Sequence, residues 1–233
     1  MAIYLGGYMN EGKLIVIEGA CDGIGKTTQF EALKQHLQND GIEIVNHHFP
    51  TYDSFHGHGV EQYLSGTFGE TKELSPYFIN SLYAHDRAVA WYSNLKLQYE
   101  SGKFILLDRY TTSSLIYQSA LIDDLNKKKE FIDYVMDFEH KKIGIKEPDT
   151  VVFLHAPFEV ATKIRMERKE NDGVQNDIHE RNLDFMKRVY ENSLFVSEYL
   201  NWNKVECSFK GQMKSIEEIH NDVYSLVKKK TIK

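Results

Sequence analysis

One segment constrains this chain more than any other. An apolar, strand-length run, Leu14-Ile15-Val16-Ile17-Glu18, opens into Gly19-Ala20-Cys21-Asp22-Gly23-Ile24-Gly25-Lys26-Thr27-Thr28, and an amphipathic stretch follows. The order is strand, glycine loop, helix. From Ala20, four residues lead to Gly25-Lys26-Thr27, which fits a relaxed Walker A pattern; counted from Gly19, the loop is one residue longer than usual. Such a loop curls successive backbone N–H groups around phosphate oxygens and delivers them to the positive end of the next helix. Residues Gly19 to Thr28 are therefore expected to cradle a nucleoside triphosphate. Lys26 would reach its β- and γ-phosphates, and the Thr27 hydroxyl would ligate Mg²⁺. A ligand-free glycine turn is the plain alternative, and the agreement of motif with context argues against it.

The rest of the chain alternates apolar runs with amphipathic stretches, the pattern of a parallel sheet covered by helices. Strands are expected at 13–18, 42–48, 104–108, 150–155 and 204–207. The third and fourth read as buried on both faces, being continuously apolar. Helices are expected at 26–39, 75–100, 112–121, 127–140, 158–168, 177–200 and 215–228. The fold class is α/β: a P-loop NTPase-type parallel five-stranded sheet, helices on both faces, and a small lid. Without a linker or repeat, residues 13–233 read as one domain and residues 1–12 as an extension, with Met9 a candidate start. Met1 to Asn10 lacks the basic start and apolar core of a signal peptide.

Charge narrows the partners. With 28 Lys+Arg against 34 Asp+Glu, the net charge of −6 argues against wrapping nucleic acid, so phosphate binding has to be local. The apolar runs are too short to span a bilayer, so no membrane partner is expected. Two cysteines, Cys21 and Cys207, make no disulfide framework and fit a reducing cytoplasm.

A second constellation follows the third strand: Asp108-Arg109-Tyr110, then Thr111-Thr112-Ser113-Ser114-Leu115-Ile116-Tyr117-Gln118. Residues just past the carboxyl ends of parallel strands line the ligand crevice, so Asp108 and Arg109 stand beside the glycine loop if the two strands are neighbours. A carboxylate there can hold the metal's water shell, and a guanidinium can grip a second phosphate bidentately. A structural salt bridge between the two is the alternative. Asp22, inside the loop, is either a solvated carboxylate or one facing a partner other than the triphosphate. His47-His48 and His56-x-His58 offer no third ligand at metal-site spacing and read as a polar strand end and loop.

Taken together, Glu18-Gly19, Asp22 to Gln29, Asp108-Arg109-Tyr110, Ser113-Ser114 and Tyr117-Gln118 resemble the thymidylate (dTMP) kinase family. So do Phe49-Pro50, Leu82-Tyr83-Ala84-His85-Asp86-Arg87, Pro148 to Leu154, and Asp177-Ile178-His179-Glu180 with Phe185 and Tyr190. The resemblance implies transfer of the γ-phosphoryl group of ATP to dTMP, with Mg²⁺, in a homodimer. Asp22 would then accept the sugar 3′-hydroxyl, Arg109 would bind the acceptor phosphate, and Asp108 would organise Mg²⁺. Tyr83 would stack on thymine, and Arg87 would hydrogen-bond its edge. Ser113 and Gln118 would complete the base pocket, Tyr117 would pack on the sugar, and Phe49 would wall the pocket. Without the family, Tyr83 and Arg87 read as an amphipathic helix with a core aromatic and an exposed arginine.

Family members keep an extra catalytic cation either in the glycine loop or in the lid. Gly23 occupies the loop position, which places the cation in a lid at about 165–178, the bacterial pattern. Arg165, Arg168 and Lys169 are the candidates, each also explicable as a solvated helix-end charge. Three features depart from the family: the extra loop residue, Thr51-Tyr52 where an arginine usually follows Phe49-Pro50, and the bulky Ile116 before the pocket aromatic. Two rival functions share the fold. A deoxynucleoside kinase would need a carboxylate base for a sugar hydroxyl, which Arg109 argues against. A non-catalytic nucleotide-binding protein would take no acceptor.

Overall fold

The computed structural model describes residues 12–21, 23–172 and 183–231, with side chains except those of 167–172. Five parallel strands form its centre: β1 (Lys13–Gly19), β2 (Ile44–His48), β3 (Phe104–Asp108), β4 (Thr150–His155) and β5 (Asn203–Glu206). Their order across the sheet is β2-β3-β1-β4-β5. β1 is central, with Ile17 opposite Asp108 of β3 and Gly19 opposite Leu154 of β4. The glycine loop and the Asp108-Arg109 pair therefore leave adjacent strands at one end of the sheet, which meets the condition that the sequence left open.

Burial follows the two-residue period of the strands. Ile15 and Ile17 pack with Phe30, Leu33 and Leu37 of α1 (Lys26–Asn39) and with Val223 and Val227 of α9 (Ile216–Thr231). Leu14 and Val16 face the other way, onto Trp91, Leu95 and Tyr99. Helices cover both faces, so every central strand is apolar on both sides. α1 ends with the Ile42 amide donating to the Leu37 carbonyl at 3.0 Å and Gly41 at φ +81°, a left-handed stop that glycine adopts without strain.

The expected 75–100 helix is three pieces: α3 (Pro76–Ala90), a π-helical segment (Trp91–Leu95) and α4 (Lys96–Glu100). The expected 127–140 helix is α6 (Leu125–Met136), running into a second π segment (Asp137–Ile143). The 112–121 helix is α5 (Thr111–Tyr117) plus a 3₁₀ turn. α7 (Phe158–Asp172) runs four residues past its expected end, and α8 (Leu183–Tyr199) is the described part of the 177–200 helix. Sequence periodicity missed α2 (His58–Leu64), which buries only Val60 and Tyr63, and the hairpin β6 (Ser208–Phe209)–β7 (Gln212–Met213), two residues per strand. No helix among the described residues is long and apolar enough to cross a membrane.

Candidate active site

The loop begins on a buried carboxylate. Glu18 is fully buried; one oxygen accepts from the Gly19 amide at 3.0 Å, the other from the hydroxyls of Thr112 at 2.9 Å and Ser113 at 2.6 Å. Three donors offset the cost of burying this group and tie the loop to the start of α5. The extra loop residue is absorbed into the core: Ala20 donates to the Leu154 carbonyl at 2.9 Å, and both Ala20 and Cys21 are buried.

Lys26 folds back over the loop. A Cβ on Gly19 would stand 2.6 Å from Ile24 Cγ2 and 2.9 Å from Lys26 Cγ, so only glycine fits beneath it. Thr27, in the first turn of α1, is exposed, and Thr28 half-buried. Gly23 sits at φ +87°, and a Cβ there would meet Arg165 Cβ at 2.9 Å and the Ala161 carbonyl oxygen at 3.0 Å. α7 thus lies directly on the loop, with the Cβ and Cα of Arg165 against Gly23. The Arg165 Nε is buried without a hydrogen-bond partner. Asp22 lies outside the described residues, as do the side chain of Arg168 and residues 173–178 of the expected lid.

Beside the loop, a cleft opens to solvent. Phe49, Tyr83, Arg87, Arg109, Ser113, Tyr117 and Gln118 all line it, joined by His48, Tyr52 and Tyr110. They come from the end of β2, from α3, and from the β3–α5 junction, segments that meet only because β3 lies between β2 and β1. Arg109 holds φ +65°, unusual for a non-glycine residue, and its guanidinium carbon stands 5.6 Å from the Tyr117 ring centroid. Gln118 is buried, and its Oε1 has no partner.

Two of these side chains make bonds that the sequence does not reveal. Arg87 is not an exposed helix arginine: it is 1% exposed and makes a two-point bond to Glu139, Nε to Oε2 and Nη2 to Oε1, both 2.7 Å. Ser113 lines the cleft, but its hydroxyl proton goes to Glu18, leaving it only an acceptor toward the cleft.

Asp108 accepts from His48 Nδ1 at 3.0 Å through Oδ2, and its Oδ1 is buried without a partner. Burial pushes this carboxyl up, but the His48 bond and the Lys26 and Arg109 charges outweigh it and hold the group below its usual range. A carboxylate oxygen in a group that favours its ionised form, and lacking a protein donor, fits a place in a metal's water shell.

The sequence reading missed the cleft role of His48. Asp86 is buried and accepts from the Thr51 amide at 2.8 Å and from His56 Nδ1 at 2.7 Å. It thereby holds the segment that carries Tyr52 instead of the family's usual arginine. No spacing signal reveals these pairs, which are 35 and 30 residues apart.

A glycine loop on β1, a cleft past β3 and the order β2-β3-β1-β4-β5 together define a P-loop nucleotide kinase. Comparison with known proteins narrows the class. The family model described as thymidylate kinase matches residues 17–223. A probable thymidylate kinase of Thermococcus gammatolerans is 30% identical over 95% of this chain and 98% of its own. The thymidylate kinase of Plasmodium falciparum is 27% identical over 94% and 91%. The solved thymidylate kinase of Candida albicans superposes with a TM-score of 0.66 at 22% identity, covering 94% of this chain and 92% of that one. The chain belongs to the thymidylate kinase family.

Proposed function

We propose that this chain transfers the γ-phosphoryl group of ATP to dTMP, giving dTDP, with the two nucleotides meeting between the glycine loop and the cleft. It is an ATP-dependent nucleoside monophosphate kinase by family. The observation that carries the site assignment is convergence: all seven described residues expected to hold dTMP line one cleft beside the loop expected to hold ATP.

On this reading the nucleophile is a phosphate oxygen of dTMP, already anionic, so no general base is needed. Catalysis is alignment and charge neutralisation as the phosphoryl group passes in line. Arg109, braced on Tyr117, aims the acceptor phosphate, and Lys26 faces the donor's phosphates. Arg165 supplies the extra cation from α7, its unpartnered Nε beside the loop supporting that role. Arg168, farther along the 165–178 lid, is a second candidate, and Asp22 takes the sugar hydroxyl. Tyr83 stacks on the base. The Gln118 amide oxygen and a donor of Arg87 suit a base presenting an N–H beside a carbonyl, as thymine does and cytosine does not.

Thr27 and Asp108 would hold Mg²⁺, whose charge neutralises the phosphates when bound. Residues 13–233 form one domain on this reading, working in the cytoplasm, with no nucleic-acid or membrane partner. Exposed Tyr77, Phe78 and Tyr92 around α3 offer an apolar face for a second copy, supporting a homodimer. A coupled ADP-release assay across thymidine and the deoxynucleoside monophosphates tests the function. dTMP should be the preferred acceptor; thymidine preferred over dTMP, or no acceptor at all, would refute it.

A further inference from the structure

The Arg87–Glu139 pair does more than fill space. A guanidinium carries five N–H donors. Two go to Glu139 at 2.7 Å, Nη2 also donates to Ser114 Oγ at 2.9 Å with a long contact to Asn80 Oδ1 at 3.5 Å, and one from Nη1 goes to the Tyr110 carbonyl at 3.3 Å. One Nη1–H remains, on a side chain that is 1% exposed yet lines the cleft. Glu139 is fully buried and neutralises the arginine inside the protein, so the pair's charge is spent away from the cleft.

Glu139 is itself held with unusual firmness. It lies in the π segment Asp137–Ile143, which stops at Gly144 with φ +84°. The amides of Gly144 and Ile145 both donate to its carbonyl, at 3.0 and 3.1 Å. The π segment after α3 faces it: the Tyr92 hydroxyl donates to the Ile143 carbonyl at 2.7 Å. Isolated π turns inside helices gather at functional sites, and here one lies after Arg87 and the other carries its partner.

We infer that Glu139 is the positioning residue for base selection: it fixes the plane of Arg87 so that a single N–H meets the base edge. The inference rests on the dTMP reading of the cleft. Glu139 touches no substrate; it acts by denying Arg87 any other orientation and by removing the net charge that would attract other anionic groups.

The test compares wild type with Glu139→Gln, Glu139→Asp, Arg87→Gln and the Arg87→Gln/Glu139→Gln double variant. Steady-state constants for dTMP, dCMP and ATP are measured alongside thermal unfolding. Glu139→Gln leaves one Arg87 N–H facing an amide N–H, so KM for dTMP should rise about ten-fold or more and the dTMP-over-dCMP preference fall by a similar factor, with KM for ATP nearly unchanged. Glu139→Asp keeps the charge but withdraws it by one methylene, and should lose part of that preference. In the Arg87→Gln background, Glu139→Gln should alter neither. Lowered unfolding temperature with the dTMP-over-dCMP preference intact, in either Glu139 variant, would overturn the inference; so would an equal loss in the Arg87→Gln background. A wild type that ignores dTMP would refute the function itself, and a wild type that prefers dTMP while Glu139→Gln prefers it equally would refute only this inference.

Discussion

Replacing Gly23 with alanine tests the contact between the glycine loop and α7. The position holds φ +87°, a conformation costing an L-residue about 1–2 kcal/mol. The added Cβ would stand 2.9 Å from Arg165 Cβ and 3.0 Å from the Ala161 carbonyl, atoms that cannot swing aside because both belong to the helix framework. Relieving the overlap by shifting α7 costs a further ~1–3 kcal/mol, typical of overpacking. The sum, about 2–5 kcal/mol, should lower the unfolding temperature by on the order of 10 °C in a chain of this size. The shift also carries Arg165 off the loop, so kcat should fall about ten-fold or more while KM for dTMP, set by α3 and α5, changes little. Gly41→Ala is the control: φ is +81° there, but nothing lies within 4 Å, so only the backbone cost applies and activity should be retained. Differential scanning calorimetry and steady-state kinetics read both effects. If Gly23→Ala matched Gly41→Ala in stability and kept wild-type turnover, α7 would not rest on the loop and Arg165 would lose its claim to the cation role.

Arg109→Ala should cost about 3 kcal/mol or more of transition-state stabilisation, read in kcat/KM for dTMP; near-normal turnover would remove Arg109 from the acceptor site. Asp108→Asn preserves the bond from His48 but not the charge, so half-saturation by Mg²⁺ should rise about ten-fold in a metal titration of activity; an unmoved titration curve would separate Asp108 from the metal. Acid should destabilise the fold below neutrality. Burial holds His47 and His140 below the ordinary value of 6.5, and burial with the neighbouring His36 does the same to His220. Below that value the unfolded chain binds more protons than the native one, so this stability is whole above pH ~6.5 and drains as pH falls. Urea midpoints should therefore drop from pH 7.5 to 5.5, and a midpoint that stayed level or rose would contradict the burial of these rings.

The core strands were legible in the sequence because their physics is local. Phe104 to Leu107 and Val151 to Leu154 are continuous apolar runs, and the strands that contain them, Phe104–Asp108 and Thr150–His155, are buried because helices cover both sheet faces. α1 was readable from Lys26 to Asn39 because glycine loop and Gly41 mark its ends. Helix interiors were less so: the two π segments leave the apolar spacing almost unchanged, and their signature is a hydrogen-bond shift that composition does not encode. The cleft residues came from a family resemblance, not from spacing. Tyr83 and Arg87, by periodicity alone, were an ordinary amphipathic pair.

The order of residues already contains the available chemistry: a phosphate loop on the strand Leu14 to Glu18, a carboxylate and guanidinium at the end of another strand, and enough apolar residues on both faces for a five-stranded sheet. The tertiary structure alone decided which groups remain free to use that chemistry. Glu18 accepts the hydrogen bond of the Ser113 hydroxyl, 95 residues away, Glu139 holds Arg87 across 52, and His48 meets Asp108 across 60. Each is a contact between segments brought together by strand order, and a buried charge takes whichever partner the packing supplies. Periodicity reports which face of an element is apolar; it carries no record of what stands opposite.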